Sequence, residues 1–155
     1  EKLRPLKAEP PHGERLMATK IISRLACVIL LFGLSLSAAR ADTTSEIQSV
    51  IADQLDAFGK DDDTRAYDHA SDMIKQLFPS KSIFMEMVRT GYPPVYRAKS
   101  WSFAEPTMTE TGISQIVKLT DEQGRVWNAL YTLERDSSGQ WKITGCRILK
   151  SEGMV

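Results

Sequence analysis

The sequence predicts an α+β fold in which N-terminal helices pack in the concave face of a curved antiparallel sheet of four strands. Apolar residues recur at helical spacing as far as Gly91, which we expect to end the last helix in the left-handed conformation. From Trp101 onward, apolar and polar residues alternate. Between the two regions, Pro93 and Pro94 predict extended chain rather than helix. Helices followed by consecutive strands are typical of α+β domains.

We expect the first 41 residues to lie outside this domain. Residues 1–16 contain prolines without apolar periodicity, which indicates a disordered or unused upstream segment. Residues 17–41 have the three parts of a secretory signal peptide: a basic start, an apolar run, and small residues ending at Ala41. A membrane anchor would need about 20 apolar residues, and this run is shorter. We therefore expect cleavage between Ala41 and Asp42 and a periplasmic or secreted protein.

The remaining residues, 42–155, are expected to form one domain with its core over about residues 45–149. They contain 13 basic and 17 acidic residues, a formal charge of −4. This balance argues against a nucleic-acid partner, whose phosphates are bound by clusters of Lys and Arg. Cys146 is their one cysteine, so no internal disulfide is expected. We expect a monomer or homodimer without membrane anchor, metal or cofactor.

Three helices are predicted before the prolines. The first carries an apolar stripe over residues 47–58 and is closed by Gly59. The second runs over about residues 64–78 and stops at Pro79, and the third covers residues 80–91.

Three consecutive aspartates, Asp61, Asp62 and Asp63, separate the first two predicted helices. Consecutive carboxylates point in different directions, and no glutamate stands where a calcium loop would need one. We interpret this segment as a turn whose last aspartate caps the second helix, and not as a metal site.

Four strands are predicted after the prolines. The first contains Trp101 and ends at Pro106, and the others cover residues 113–119, 127–133 and 141–147. Hairpin loops at residues 121–124 and 136–139 connect the last three, with Gly124 placed for a positive φ.

The order of helices and long hairpins, with the segment YTLERDSSGQWKI from Tyr131 to Ile143, resembles the nuclear transport factor 2-like superfamily. More narrowly, the segments GYPPVYR (91–97) and WNALY (127–131) and the pair Gly145 and Cys146 are similar to an exported bacterial family, domain-of-unknown-function family 4864. The resemblance covers about residues 47–149. It implies a cone-shaped, cystatin-like fold, although the strand that many cones place between their helices is not evident.

The superfamily includes isomerases, dehydratases, transport adaptors and scaffold domains, so the implied cone does not by itself fix a function. Its catalytic members use a carboxylate or histidine that faces the cavity. No residue of this sequence matches such a motif position.

His69 is the catalytic candidate because it is the one histidine after the leader, and Asp68 precedes it. Neighbours on a helix point about 100° apart, so Asp68 is poorly placed to orient the imidazole. The sequence favours a surface or half-buried histidine over a general base, and it favours core packing over nucleophilic chemistry for Cys146.

Tyr96, Arg97 and Trp127 are the candidate ligand-binding residues. Arg97 could bind a carboxylate through two hydrogen bonds and Tyr96 could supply a hydroxyl, with Trp127 as an apolar wall. The structural alternative is that Arg97 pairs with one of the chain's own carboxylates and that both aromatic residues pack.

These residues lead to three hypotheses. The first is an exported, non-catalytic module whose cone-shaped pocket binds a small apolar or anionic ligand or a protein partner. The second is a cavity enzyme that transfers protons, of the isomerase or hydro-lyase type, with His69 as base. The third is a scaffold domain of the cell envelope, which would normally keep an uncleaved anchor.

The first testable prediction concerns the leader. N-terminal sequencing of the secreted protein should begin at Asp42, because the small residues before it fit the cleavage site of a signal peptide. Recovery of the intact leader in the membrane fraction would contradict this and favour the scaffold hypothesis.

Overall fold

The computed structural model describes residue 40 and residues 42–149. The described helices are α1 (residues 42–59), α2 (Asp63–Asp68), α3 (Asp72–Leu77), α4 (Lys81–Gly91) and α5 (Pro93–Tyr96). The described strands are β1 (Ser100–Phe103), β2 (Thr107–Met108), β3 (Ile113–Thr120), β4 (Val126–Arg135) and β5 (Trp141–Leu149). None of these helices has the length and hydropathy needed to cross a membrane. The predicted α+β class is confirmed, whereas the predicted leader, residues 1–41, lies outside the described residues apart from residue 40.

Helix α1 presents one apolar face to the core. Ile47, Ile51, Leu55 and Phe58 follow one another at helical spacing, and each is at most 2% exposed. The amphipathic pattern therefore predicted this helix correctly.

The turn after α1 contains the three aspartates. Asp61 has a positive φ of 54°, which ends the helical path. Asp62 caps α2 by accepting a hydrogen bond from the Arg65 amide at 3.1 Å. The segment is a capped turn as predicted, but the capping residue is Asp62 and not Asp63, which is the first residue of α2.

The predicted second helix is interrupted, so the prediction of one continuous helix is wrong. After Asp68, the His69 carbonyl accepts a hydrogen bond from the Ile143 amide at 2.8 Å, and the Ser71 amide donates to the Ile143 carbonyl at 2.9 Å. Ala70 forms an isolated parallel bridge with Ile143. The chain between α2 and α3 thus pairs with β5 instead of continuing the helix.

Ser71 supplies the local reason for the break. Its hydroxyl caps α3 by accepting a hydrogen bond from the Ile74 amide at 3.4 Å, which requires a non-helical backbone at Ser71 itself. The apolar spacing continues from Ala66 to Ile74 across the break, so periodicity alone did not reveal it.

The double proline starts a helix, which corrects the prediction of extended chain there. Pro93 and Pro94 are the first two residues of α5, where helix amides have no intrahelical partner and a missing N–H costs nothing. Gly91 is the last residue of α4 and is not in the left-handed region, contrary to expectation. Tyr92 separates the two helices and donates its amide hydrogen to the Val88 carbonyl.

The sheet is antiparallel with the order β1-β3-β4-β5, and the short β2 also pairs with β3. The four predicted strands are confirmed, β1 ends at Phe103 before the predicted Pro106, and β2 was not predicted. The hairpin prediction at Gly124 is confirmed by its φ of 76°. A register shift between Thr132 and Leu133 interrupts the pairing of β4 with β5.

The core lies between the helices and one face of the sheet. Alternate residues of β3 and β4 are buried, as expected for strands with one covered face. On these two strands the buried side chains are Ile113, Gln115, Val117, Leu119, Ala129, Tyr131 and Leu133.

Gly112 provides a test of the fold at the start of β3. A Cβ atom at this position would lie 2.2 Å from the Leu133 carbonyl oxygen, a backbone atom that cannot rotate away. We expect Gly112→Ala to lower the free energy of unfolding by more than about 1 kcal/mol in urea unfolding, because the hairpin backbone must shift.

Gly91→Ala is the matched control, since a Cβ there would meet nothing within 4 Å. Because alanine is the better helix former, this variant should be neutral or more stable by up to about 1 kcal/mol. Equal effects of the two substitutions would contradict the register of β3 with β4.

Candidate functional site

A cavity of about 220 Å³ lies between the helices and the sheet. Helices α1, α3, α4 and α5 contribute most of its wall, and residues of β4 and β5 complete it. The residues that line it are Gln54, Phe58, Ile74, Leu77, Phe78, Phe84, Met87, Val88, Tyr92, Val95, Tyr131, Ile143, Thr144, Gly145 and Cys146. Most of these residues are apolar, and none of the described lining residues is an aspartate, glutamate, histidine, lysine or arginine.

Aromatic packing fixes the helical wall of the cavity. The Phe84 ring has its centroid 6.2 Å from that of Phe58, 6.4 Å from that of Phe78 and 5.4 Å from that of Tyr67. The Tyr67 hydroxyl donates a hydrogen bond to the Phe78 carbonyl at 2.6 Å, which fastens α2 to the end of α3. These contacts keep the rings in place around the space.

Two polar side chains on the wall are already paired. The Gln54 amide donates to the Ala66 carbonyl at 3.0 Å, and the Thr144 hydroxyl donates to the Thr132 hydroxyl at 3.0 Å. These two donors are therefore engaged within the fold.

Tyr131 and Cys146 are the other two polar groups on the sheet side, and they face each other across β4 and β5. Tyr131 is fully buried, and its hydroxyl forms no hydrogen bond of normal length and angle with any described residue. Burial raises the pKa of this phenol well above its usual range. Burial also raises the pKa of the Cys146 thiol to about 12, although the nearby Tyr131 phenol acts in the opposite direction and lowers it. Both groups are therefore protonated at neutral pH.

Neither Tyr96 nor Arg97 is among the described residues that line the cavity. Both lie against the C-terminal end of α1. The Arg97 guanidinium donates to both Asp61 carboxylate oxygens at 2.9 Å and to the Phe58 carbonyl at 2.6 Å, and it lies 3.9 Å from the Tyr96 ring centroid. The Tyr96 hydroxyl donates to Asp61 and accepts from Arg89 at 3.2 Å. These bonds hold the C-terminal end of α1 against α5.

The charge in this cluster is balanced internally. Hydrogen bonds from Tyr96 and then from Arg97 lower the pKa of the Asp61 carboxyl, although partial burial opposes them. Arg97 is thus paired with a carboxylate of its own chain, which is the structural alternative described above.

Trp127 lies beside a carboxylate that organises the β3–β4 hairpin. Asp121 accepts hydrogen bonds from the Trp127 indole at 2.9 Å, from the amides of Gln123 and Arg125 at 3.0 and 2.9 Å, and from the Arg125 guanidinium at 2.7 Å. Burial raises the pKa of Asp121, but the bonds from Trp127 and Arg125 outweigh it and bring the pKa down to about 2.

The predicted ligand-binding residues are therefore brought near one another, but not at the apolar cavity. Tyr96, Arg97, Asp121 and Arg125 line a separate depression of about 180 Å³, and Trp127 reaches it through its bond to Asp121. The polar groups that line the depression are largely bonded to each other.

His69 lies in another place again. Its Nε2 atom is 2.6 Å from an Asp53 carboxylate oxygen, and Asp53 also accepts from Arg65 at 3.3 Å. The neighbouring Asp68 is not its partner. His69 borders an open surface groove together with Trp141 and not the apolar cavity.

Within residue 40 and residues 42–149, no group of three or more histidines, cysteines, aspartates or glutamates is arranged to hold a metal ion. The sequence analysis predicted a pocket, but none of its candidate binding residues is among the described residues that line this cavity. Its lining comes from four helices and two strands, so no local motif marks it. The one available signal was the polar Tyr131 at a position that alternation assigns to the core.

The family model described as domain of unknown function DUF4864 matches residues 40–155, three quarters of the chain. The chain belongs to this family. No curated protein and no solved structure matches the chain significantly. The DUF4864 match confirms the predicted domain-of-unknown-function family, while export and the nuclear transport factor 2-like cone stay predictions.

The low pKa of Asp121 predicts how the stability of this DUF4864 domain changes in acid. Its folded-state pKa of about 2 lies below the ordinary 3.8, so its stabilising effect is present above about pH 4 and is lost as the pH falls toward 2. We expect Asp121→Asn to lower the thermal midpoint at pH 7 by at least about 4 °C and to flatten the fall in midpoint between pH 4 and 2.

Glu122→Gln is the control, because it removes one charge from the exposed next position of the same loop. It should change neither the midpoint at pH 7 nor the acid slope appreciably. If Asp121→Asn keeps the acid slope of the parent, the carboxylate does not have the role assigned to it.

Proposed function

We propose that this protein is an exported, non-catalytic binding module that holds a small, mostly apolar molecule in the cavity between its helices and its sheet. The observation that carries the proposal is the cavity, with its apolar lining and its volume of about 220 Å³. The space is partly open to solvent and is large enough for a small molecule. For comparison, an apolar protein cavity of about 150 Å³ is enough to bind benzene.

The cavity has an opening at α3. Leu77 lines the cavity and is also 68% exposed, so its side chain stands at the boundary between the space and the solvent. Met73 on the same helix is 53% exposed. Apolar side chains at an opening lower the cost of passing an apolar molecule from water into the interior.

The lining favours binding over catalysis. A proton-transfer enzyme needs a base or acid with a pKa near the working pH at the reacting atom. Tyr131 and Cys146 both have raised pKa values, so neither is a base or a thiolate nucleophile at neutral pH. His69, the base of the enzyme hypothesis, borders the surface groove instead. The described wall thus offers shape and apolar contact rather than acid–base chemistry.

The lining also favours a neutral ligand. Arg97 was the candidate for an anionic group, and its guanidinium is engaged with Asp61 and the Phe58 carbonyl. A charged ligand in the apolar cavity would lose its hydration without gaining an opposite charge. The export of the module rests on the predicted leader over residues 17–41.

Val88→Phe tests the cavity directly. Val88 is 5% exposed and lines the cavity, so the larger side chain should occupy part of the space. We expect binding of the hydrocarbon α-methylstyrene, measured by ligand-observed NMR on the full chain, to weaken at least about tenfold, which corresponds to about 1.4 kcal/mol.

Val126→Phe makes the same change at an exposed position outside the cavity lining and should leave the affinity unchanged. Circular dichroism must show that both variants are folded. If Val88→Phe does not fold, Val95→Phe takes its place, because Val95 also lines the cavity. Undiminished binding in a folded, cavity-filled variant would place the hydrocarbon elsewhere and overturn the proposal.

A further inference from the structure

The Tyr131 hydroxyl is a buried polar group in the wall of the apolar cavity. Tyr131 is 0% exposed, and its hydroxyl has no hydrogen-bond partner of normal geometry among the described residues. Nearly all buried polar groups in native proteins are paired, so an unpaired one calls for an explanation.

The polar side chains around this hydroxyl do not satisfy it. The Gln54 amide donates to Ala66, and the Thr144 hydroxyl is bonded to Thr132 on the neighbouring strand. Cys146 is the cross-strand neighbour of Tyr131, and its sulfur is close enough to the phenol to shift the pKa of both groups, but the contact falls short of hydrogen-bond geometry. Because sulfur is a weak acceptor, an oxygen of a molecule inside the cavity would be the better partner for the phenol.

We propose that the Tyr131 hydroxyl is the polar recognition point of the cavity and donates a hydrogen bond to a neutral ligand that has one carbonyl-type oxygen on a small apolar body. This rests on the function proposed above and adds the chemical class of the ligand. A hydrogen bond to the ligand would satisfy the phenol, and the apolar wall would take up the rest of the molecule.

The phenol acts as donor because its proton is firmly held. Burial raises its pKa well above the usual range of a phenol, so the O–H is present at neutral pH. A carbonyl oxygen is a matching acceptor, since it has lone pairs and no proton of its own. A carboxylate fits less well, because the described lining includes no lysine, arginine or histidine to compensate its charge.

Two isosteric ligands isolate the hydrogen bond. Acetophenone and α-methylstyrene have nearly the same shape, and only acetophenone has a carbonyl oxygen. The measured quantity is the ratio of their affinities for the full chain and for its variants. We expect Tyr131→Phe to lower the preference for acetophenone by at least about threefold, the range that one net hydrogen bond gives, while α-methylstyrene binds about as before.

Tyr96→Phe is the matched control, since it removes the hydroxyl of a tyrosine that is not among the described residues lining the cavity. It should leave the ratio unchanged. An unchanged ratio in Tyr131→Phe, or an equal change in Tyr96→Phe, overturns the assignment of Tyr131 but leaves the cavity as a binding site. Failure of α-methylstyrene to bind the parent overturns the proposed function itself.

A second measurement needs no variant. Acetophenone bound to the parent protein should show a carbonyl stretching frequency lower than that of acetophenone in hydrocarbon solvent, because a hydrogen bond weakens the C=O bond. A frequency equal to that in hydrocarbon would show an unbonded carbonyl and overturn the assignment, even if Tyr131→Phe does not fold.

Discussion

The backbone pairing between Ile143 and the chain around Ala70 determines how the helices meet the sheet. Its two hydrogen bonds tie the His69 carbonyl and the Ser71 amide to β5, so the chain cannot remain helical there. As a result, α3 starts anew from its Ser71 cap, and its residues Ile74, Leu77 and Phe78 form one side of the cavity opposite Ile143. If the helix were continuous, this pairing would be lost, and the amide and carbonyl of Ile143 would need other hydrogen-bond partners.

Polar interactions stabilise the ends of elements, and apolar contacts enclose the cavity. Arg97 binds Asp61 and the Phe58 carbonyl, which is one of the last carbonyls of α1 and also accepts from the Asp61 amide at 3.3 Å, and Tyr96 binds Asp61. Asp121 gathers four donors around the β3–β4 turn. The cavity is separate from these charged clusters, and the described residues that line it include no charged side chain.

The sequence predicts those parts of the structure that depend on local spacing. Strand alternation and Gly124 located the hairpins, and the stripe from Ile47 located α1. Long-range contacts were not accessible: the break at Ser71 depends on Ile143, and His69 finds its partner Asp53 on another helix, 16 positions earlier. The cavity was also beyond local reasoning, because a pattern marks which residues are buried but not where their packing leaves space.

The residue at position 131 connects stability with the proposed function. A phenylalanine would keep the aromatic ring in the core without burying a hydroxyl that the described residues leave unpaired. Tyrosine at this point therefore reduces stability by the desolvation of one polar group, about 1–3 kcal/mol. Such a cost is explained if the hydroxyl is satisfied only when the cavity is occupied, since the ligand then restores the lost hydrogen bond. On this view the hydroxyl that lowers the stability of the fold is also the group that selects its ligand.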